Sequence, residues 1–194
     1  MAPITYSVNM EQMHTALRNY KDGATSAIRQ RASVELAAVL WRFLDKHEEC
    51  IEVAAGVDDG FPLVTTVPSG TTERDESRGN LRRIVGELCA VTRDRYERVL
   101  LPTDRGTEDR GFDADRYQST RALDGADVLL VDDTWTTGHS AQSAAWTLEQ
   151  AGAGTVAMVA IGRHLNPEFK DHGQLLKDLP KPFDWGDCVY HREG

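Results

Sequence analysis

The chain has 194 residues, 40% hydrophobic and 27% charged, enough for one well-buried α/β domain and too short for two generous ones. Its net charge of −9, from 22 basic and 31 acidic residues, gives no global electrostatic reason to bind nucleic acid or an anionic membrane. Three widely spaced cysteines without a CxxC argue against a disulfide framework or a zinc ribbon, and no run approaches the ~18 apolar residues of a membrane span. With no leader-like segment at the start, a cytoplasmic protein is expected.

In chain order, residues 4–8 read as a short strand. A helical pattern follows, with Met10, Met13, Ala16 and Leu17 on one face, and Gly23 supplies its stop. Thr25 or Ser26 then caps a longer helix whose stripe is Leu36, Leu40, Phe43 and Leu44, running to about His47. Residues 51–55 read as a strand start or a linker. Residues 63–67 form a buried strand by β-propensity, followed by the small-residue junction Pro68-Ser69-Gly70-Thr71. Asn80 or Gly79 opens a helix carrying Leu81, Ile84, Val85, Leu88 and Val91, and residues 98–102 are a strand ending in proline.

Residues 103–121 are polar, contain Arg105, Arg110 and Arg116, and lack periodicity. So long a structureless stretch inside a compact domain is often functional. After it, Val128-Leu129-Leu130-Val131 has the unbroken apolar character of a strand buried on both faces of a parallel sheet. Asp132 and Asp133 follow directly, then Thr134-Trp135-Thr136-Thr137-Gly138-His139-Ser140, and from Ser140 the pattern is helical to about Ala151. Residues 155–161 make another buried strand, so 128–161 reads as a βαβ unit. Arg163 and His164 fall at the carboxyl end of that strand, where ligand crevices of such sheets lie. The tail from 166 is polar, with Pro180 and Pro182 breaking any helix and Trp185, Val189 and Tyr190 anchoring it. His172, Cys188 and His191 lack metal-ligand spacing.

Residues 128–140 combine features that belong to one chemistry. A helix start offers unpaired N–H groups and the positive end of the helix dipole, which suits phosphate. Thr136, Thr137 and Ser140 add hydroxyls, and Gly138 permits close approach or a positive φ. Carboxylates accept from vicinal ribose hydroxyls or hold a divalent cation. The pattern is that of a site for a phosphorylated, polyhydroxylated ligand.

This run, apolar strand, Asp-Asp, two residues, Thr-Thr-Gly, one residue, Ser, resembles the phosphoribosyl pyrophosphate (PRPP) signature of the type I phosphoribosyltransferases. Trp135 and His139 are bulkier than the residues usual at those points. The wider layout is similar to the ComF-like branch, through residues 17–23 (Leu-Arg-Asn-Tyr-Lys-Asp-Gly), Val67-Pro68-Ser69 and the arginine-containing polar loop. The Cys-rich zinc segment at the N-terminus of many such relatives is absent.

The resemblance implies one phosphoribosyltransferase-like domain over 1–194: a central, mainly parallel β-sheet flanked by helices, with a small hood from the N-terminal segment, to which the C-terminal segment, 166–194, is a candidate addition. It implies that Asp132 and Asp133 are the catalytic pair, holding the ribose hydroxyls and a Mg²⁺ that arrives with PRPP. Thr134, Thr136, Thr137, Gly138, His139 and Ser140 would wrap the 5′-phosphate. Pro68, Ser69, Gly70 and Thr71 would face pyrophosphate, and Arg105 or Arg110 would reach it from a closing loop. The implied reaction transfers phosphoribosyl to a nucleobase-like nitrogen acceptor; a homodimer is the assembly the resemblance leaves open. The rival expectation is a non-catalytic PRPP- or nucleotide-sensing regulatory protein. The charge disfavours a DNA-binding competence factor, and no GxxxxGK[ST] supports a P-loop kinase.

Overall fold

The computed structural model describes residues 1–8, 11–105, 111–166, 168, 172–178 and 184–190. Its centre is a four-stranded, wholly parallel sheet in the order β1-β6-β5-β2. These strands are Ala2–Val8 (β1), Leu63–Thr66 (β2), Val128–Trp135 (β5) and Val156–Leu165 (β6). A separate antiparallel pair joins Leu100–Pro102 (β3) to Tyr117–Ser119 (β4). The helices are Gln12–Asp22 (α1), Ser26–Ala55 (α2), Thr72–Ser77 (α3), Asn80–Arg83 (α4), His139–Gln150 (α5) and His172–Asp178 (α6).

The α/β class and the parallel centre expected from the apolar runs are found. Val128, Leu129, Leu130 and Val131 are all fully buried, and their alternation divides two cores. Leu129 and Val131 pack with residues of α1 and α2, whereas Val128 and Leu130 pack with Ala141, Ala144 and Leu148 of α5. Helices therefore cover both faces of β5, which explains why its sequence is continuously apolar. The β5-α5-β6 unit is the expected right-sequence βαβ element, closed by Gly152 at φ 87°.

Several boundaries differ. Residues 51–55 are the last turns of α2, whose 30 residues start at the Thr25 side-chain cap (3.2 Å from Ile28 N) and stop at left-handed Gly56. Ile51 falls on the same buried stripe as Leu40, Leu44 and His47, so the apolar cluster taken for a strand start is helix core. The helix expected over 80–91 is α4 continued by a π turn over Ile84–Leu88, closed by Cys89 N–H on Ile84 O (2.9 Å). The tail forms the short helix α6 before Pro180, and its later part packs through Cys188, Val189 and Tyr190 on the core beside α2.

Candidate functional site

A cavity of about 250 Å³ opens at the carboxyl ends of β2 and β5. One wall is the end of β5 with the start of α5, the other is residues 66–70 with α3 and α4, and the end of α1 closes one side. Asp132, Asp133, Thr134, Thr136, Thr137, Gly138, His139 and Ser140 all line it, as do Pro68, Ser69 and Gly70. The two sequence junctions thus meet because β2 and β5 are adjacent parallel strands in register, Thr66 opposite Val131.

Asp132 and Asp133 do not lie beyond the sheet edge. β5 continues through Thr134 and Trp135, which pair with Gly162 and Arg163 of β6. Strand alternation carries Asp133 to the α1 face, together with Leu129 and Val131. There the Tyr20 hydroxyl donates to Asp133 Oδ2, and Lys21 Nζ sits 2.7 Å from Oδ1. Asp132 falls on the α5 face and accepts, at Oδ1, the N–H of Asp133 at 2.8 Å. Burial pushes both carboxyls up to about 6, partly opposed at Asp132 by the Lys21 charge and at Asp133 by a Thr134 side-chain hydrogen bond. Burial also lowers the Lys21 ammonium, against the pull of Asp132. Lys21 thus contacts Asp133 while its charge reaches both acids.

The phosphate-type loop is shaped by steric fit. Gly138 has φ 84°, and a Cβ there would lie 2.3 Å from Cζ2 of Trp135. The bulky Trp135 therefore lies over position 138 and requires glycine there. Gly138 is also the N-cap of α5, without a side-chain cap bond. The first helical bond across it is Gln142 N–H to Gly138 O (2.9 Å), so the N–H groups of the first turn have no intrahelical partner. The helix opens at His139, one residue ahead of the sequence expectation. Thr137 Oγ1 and His139 Nδ1 are 3.3 Å apart, and Arg116 Nη1 donates to Ser140 Oγ at 3.3 Å.

The opposite wall is organised by Asp75 of α3, which is 4% exposed. Its Oδ1 accepts the Ser69 N–H (2.9 Å), and its Oδ2 takes Arg82 Nη1 (2.5 Å) and Arg98 Nη2 (2.7 Å). Tyr117 adds a second tie, its hydroxyl donating to Pro68 O at 3.1 Å, and burial pushes that phenol up to about 12. Arg78, Asn80 and Arg82 line the cavity on this side, and Asn80 Nδ2 holds Tyr20 O at 2.6 Å. Thr71 does not line the cavity; its hydroxyl caps α3 by accepting the Arg74 N–H at 3.3 Å.

Arg105 is exposed and lies 3.9 Å from Asp115, outside the cavity wall; Arg110 lies outside the described residues. His164 lines a smaller cavity with Ser7, His14, Arg18 and Thr134. The site residues that sequence reasoning left without a role are Lys21, Tyr20, Asp75, Asn80, Arg78 and Arg82. Residues 72–83 carry a suggestive cluster of arginines, but it is interleaved with acids and matches no motif. Only Lys21 and Tyr20 had a signal, inside the 17–23 segment.

The arrangement places two carboxylates between a wall of hydroxyls with a helix N-terminus and a wall bearing arginines. Anionic groups suit both walls, and hydroxyls suit the acids between them. No protein-family model matches the chain, and no curated protein matches it at a significant level.

Proposed function

We propose that the chain is a phosphoribosyltransferase-type enzyme that binds PRPP in the 250 Å³ cleft, on a phosphoribosyltransferase-like fold. The observation that carries the reading is the meeting, in one cleft, of the acids Asp132 and Asp133, the α5 start with residues 136–140, and the loop 68–70. The helix start and its hydroxyls hold the 5′-phosphate. Ser69 and Gly70, with Arg78 and Arg82 behind them, face the pyrophosphate. Asp132 accepts from the ribose hydroxyls.

The donor set at the acids is oxygen only, which fits Mg²⁺. Asp132 is the better-placed donor, because both oxygens of Asp133 already have partners in Tyr20 and Lys21. When bound, Mg²⁺ offsets the charge of the diphosphate. In the reaction the C1–O bond to pyrophosphate breaks and the electron pair leaves with the pyrophosphate. The oxocarbenium-like C1 is taken by the lone pair of a nitrogen acceptor, which loses its proton to solvent. The protein orients the two reactants and places carboxylate charge near the developing cation.

The occupied oxygens of Asp133 favour one second reading, a PRPP sensor in which Lys21 and Tyr20 report ligand by releasing that acid. A screen of pyrophosphate release from PRPP across free bases and amines separates the two. Acceptor-dependent release supports the transferase, and tight binding without release under every acceptor supports the sensor. For either, Asp132→Asn with Asp133→Asn should weaken Mg²⁺-dependent PRPP binding by about a hundredfold, the charge-assisted contact of Asp132 and the carboxylate charge beside the cation being lost. Calorimetry that finds unchanged affinity in the folded double variant removes the PRPP assignment.

A further inference from the structure

Away from the cleft, three side chains meet that lie far apart in sequence. His47 and Cys50, three residues apart on α2, share a helix face. Cys188 reaches them from the segment 184–190, and one ligand-type atom of each lies within 4.8 Å of the others. His47 and Cys188 are buried and Cys50 is half-buried. We infer that His47, Cys50 and Cys188 form a binding site for a zinc-class divalent cation, which fastens the segment 184–190 onto α2.

The orientation of His47 is the most specific support. Its Nε2 lies 2.9 Å from the Trp185 carbonyl, which can only accept, so that nitrogen carries the proton. Nδ1 then presents its lone pair on the side of Cys50 Sγ, 3.9 Å away. A metal-binding imidazole is usually fixed in this way, by donating its other N–H to a backbone carbonyl. The carbonyl comes from the same segment as Cys188, so one strap supplies both a ligand and the group that orients another. Arg42 stacks on Trp185, 4.7 Å from the ring centroid, and steadies the strap independently of the metal.

Size and charge also fit. Zinc–sulfur bonds of about 2.3 Å put two tetrahedral ligand atoms about 3.8 Å apart, so a spread within 4.8 Å closes with side-chain movement alone. Two thiols and one imidazole select a soft or borderline ion over Mg²⁺ or Ca²⁺. On binding, each thiol forms a sulfur–metal bond and releases its proton to solvent. The two thiolates cancel the charge of the ion, so the buried centre carries no net charge. A water takes the fourth tetrahedral position.

The test uses the full chain, purified under reductant, stripped with chelator and titrated with Co²⁺ and then Zn²⁺. Expected are one equivalent of Co²⁺ with thiolate-to-cobalt charge-transfer absorption, displacement by Zn²⁺, and release of protons. Cys188→Ser and Cys50→Ser should each lose most of that absorption. Cys89→Ala, which changes the buried thiol outside the cluster, should retain it. Circular dichroism confirms that each variant is folded. Absence of the thiolate band in the unmutated protein overturns the site whatever the variants do, as does a band that survives Cys188→Ser. A Cys50–Cys188 disulfide in place of metal, in protein isolated without reductant and supplied with zinc, also overturns it. PRPP binding is read separately, so its failure leaves this result untouched.

Discussion

Two carboxylate centres face one another across the cleft, and they are built in opposite ways. Asp75 is almost wholly buried and meets three donors, the Ser69 N–H and two guanidinium groups. Asp132 also lies in the wall, but its carboxylate is met by the backbone N–H groups of Asp133 and Thr134 rather than by guanidinium groups, and burial pushes it up to about 6. A carboxylate whose acceptors are filled by its own fold can hold a loop in place, and it has little left to offer a ligand. One that is desolvated and sparsely partnered remains a candidate acceptor for substrate. The contrast divides the cleft into a scaffold wall and a reactive wall.

The largest way to break this contrast is to remove the scaffold acid. Asp75→Ala leaves Arg82 and Arg98 facing each other without their shared anion and strips the Ser69 N–H of its acceptor. Both arginines keep some access to solvent, at 20% and 32% side-chain exposure, which moderates the cost. A loss of about 3 kcal/mol in urea unfolding is expected, near the low end for breaking a buried pair. Asp75→Asn, which keeps an oxygen for Ser69, should cost less. A loss below about 1 kcal/mol for Asp75→Ala, in the range of exposed pairs, would show that this wall is not held by Asp75.

The reactive wall depends instead on backbone shape. Gly138→Ala combines a left-handed φ of 84° with a Cβ 2.3 Å from the Trp135 ring, and should cost about 2 kcal/mol. The two contributions can be separated. Trp135→Ala in the Gly138→Ala background removes the steric clash and leaves the φ strain, so the penalty for the alanine at 138 should fall to about 1 kcal/mol. An unchanged penalty in a double-mutant cycle would mean that Trp135 does not shape the loop.

The same division explains what was legible in the sequence. The reactive wall is contiguous: strand, acids, hydroxyl loop and helix start occupy residues 128–140, and each leaves a local signature in hydropathy or residue type. The parallel centre of the sheet was legible for the same reason, since burial on both faces makes β5 and most of β6 continuously apolar, whereas the strand expected at 98–102 belongs to the separate antiparallel pair. The scaffold wall is assembled from residues 69, 75, 82 and 98, and no local pattern marks such convergence. Thr71, expected to face pyrophosphate with Ser69 and Gly70, has a local structural use that its position did not show: its side chain caps α3. Residues 51–55 failed through periodicity, because Ile51 and Val53, β-branched and alternating with Glu52, cannot be told from a strand start without knowing that Ile51 continues the stripe of α2.

Replacing Asp132 by asparagine gives the smallest effect and tests the nature of the reactive wall most directly. The folded-state value of about 6 lies above the ordinary value near 3.9 of an unfolded aspartate. Between those values the native state therefore binds more protons than the unfolded state, and stability falls as pH rises. Ionising this acid costs the native state nothing below about pH 4, and the full penalty is present above about pH 6. The shift of about two units corresponds to at most ~3 kcal/mol, and solvent access at the cleft reduces this to about 1 kcal/mol. Asp132→Asn keeps an oxygen for the Asp133 N–H and cannot ionise. The ligand-free variant should therefore exceed the unmutated protein by about 1 kcal/mol in urea unfolding at about pH 7.5 and match it at about pH 4. Asp133 retains its own raised carboxyl in both proteins and cancels in the difference. A difference that does not change with pH would mean that folding leaves the Asp132 carboxyl unshifted, and one in which the variant loses stability as pH rises would mean that its surroundings stabilise the anion. In that case it would belong with Asp75, as a structural acid, and the contrast between the two walls would fail.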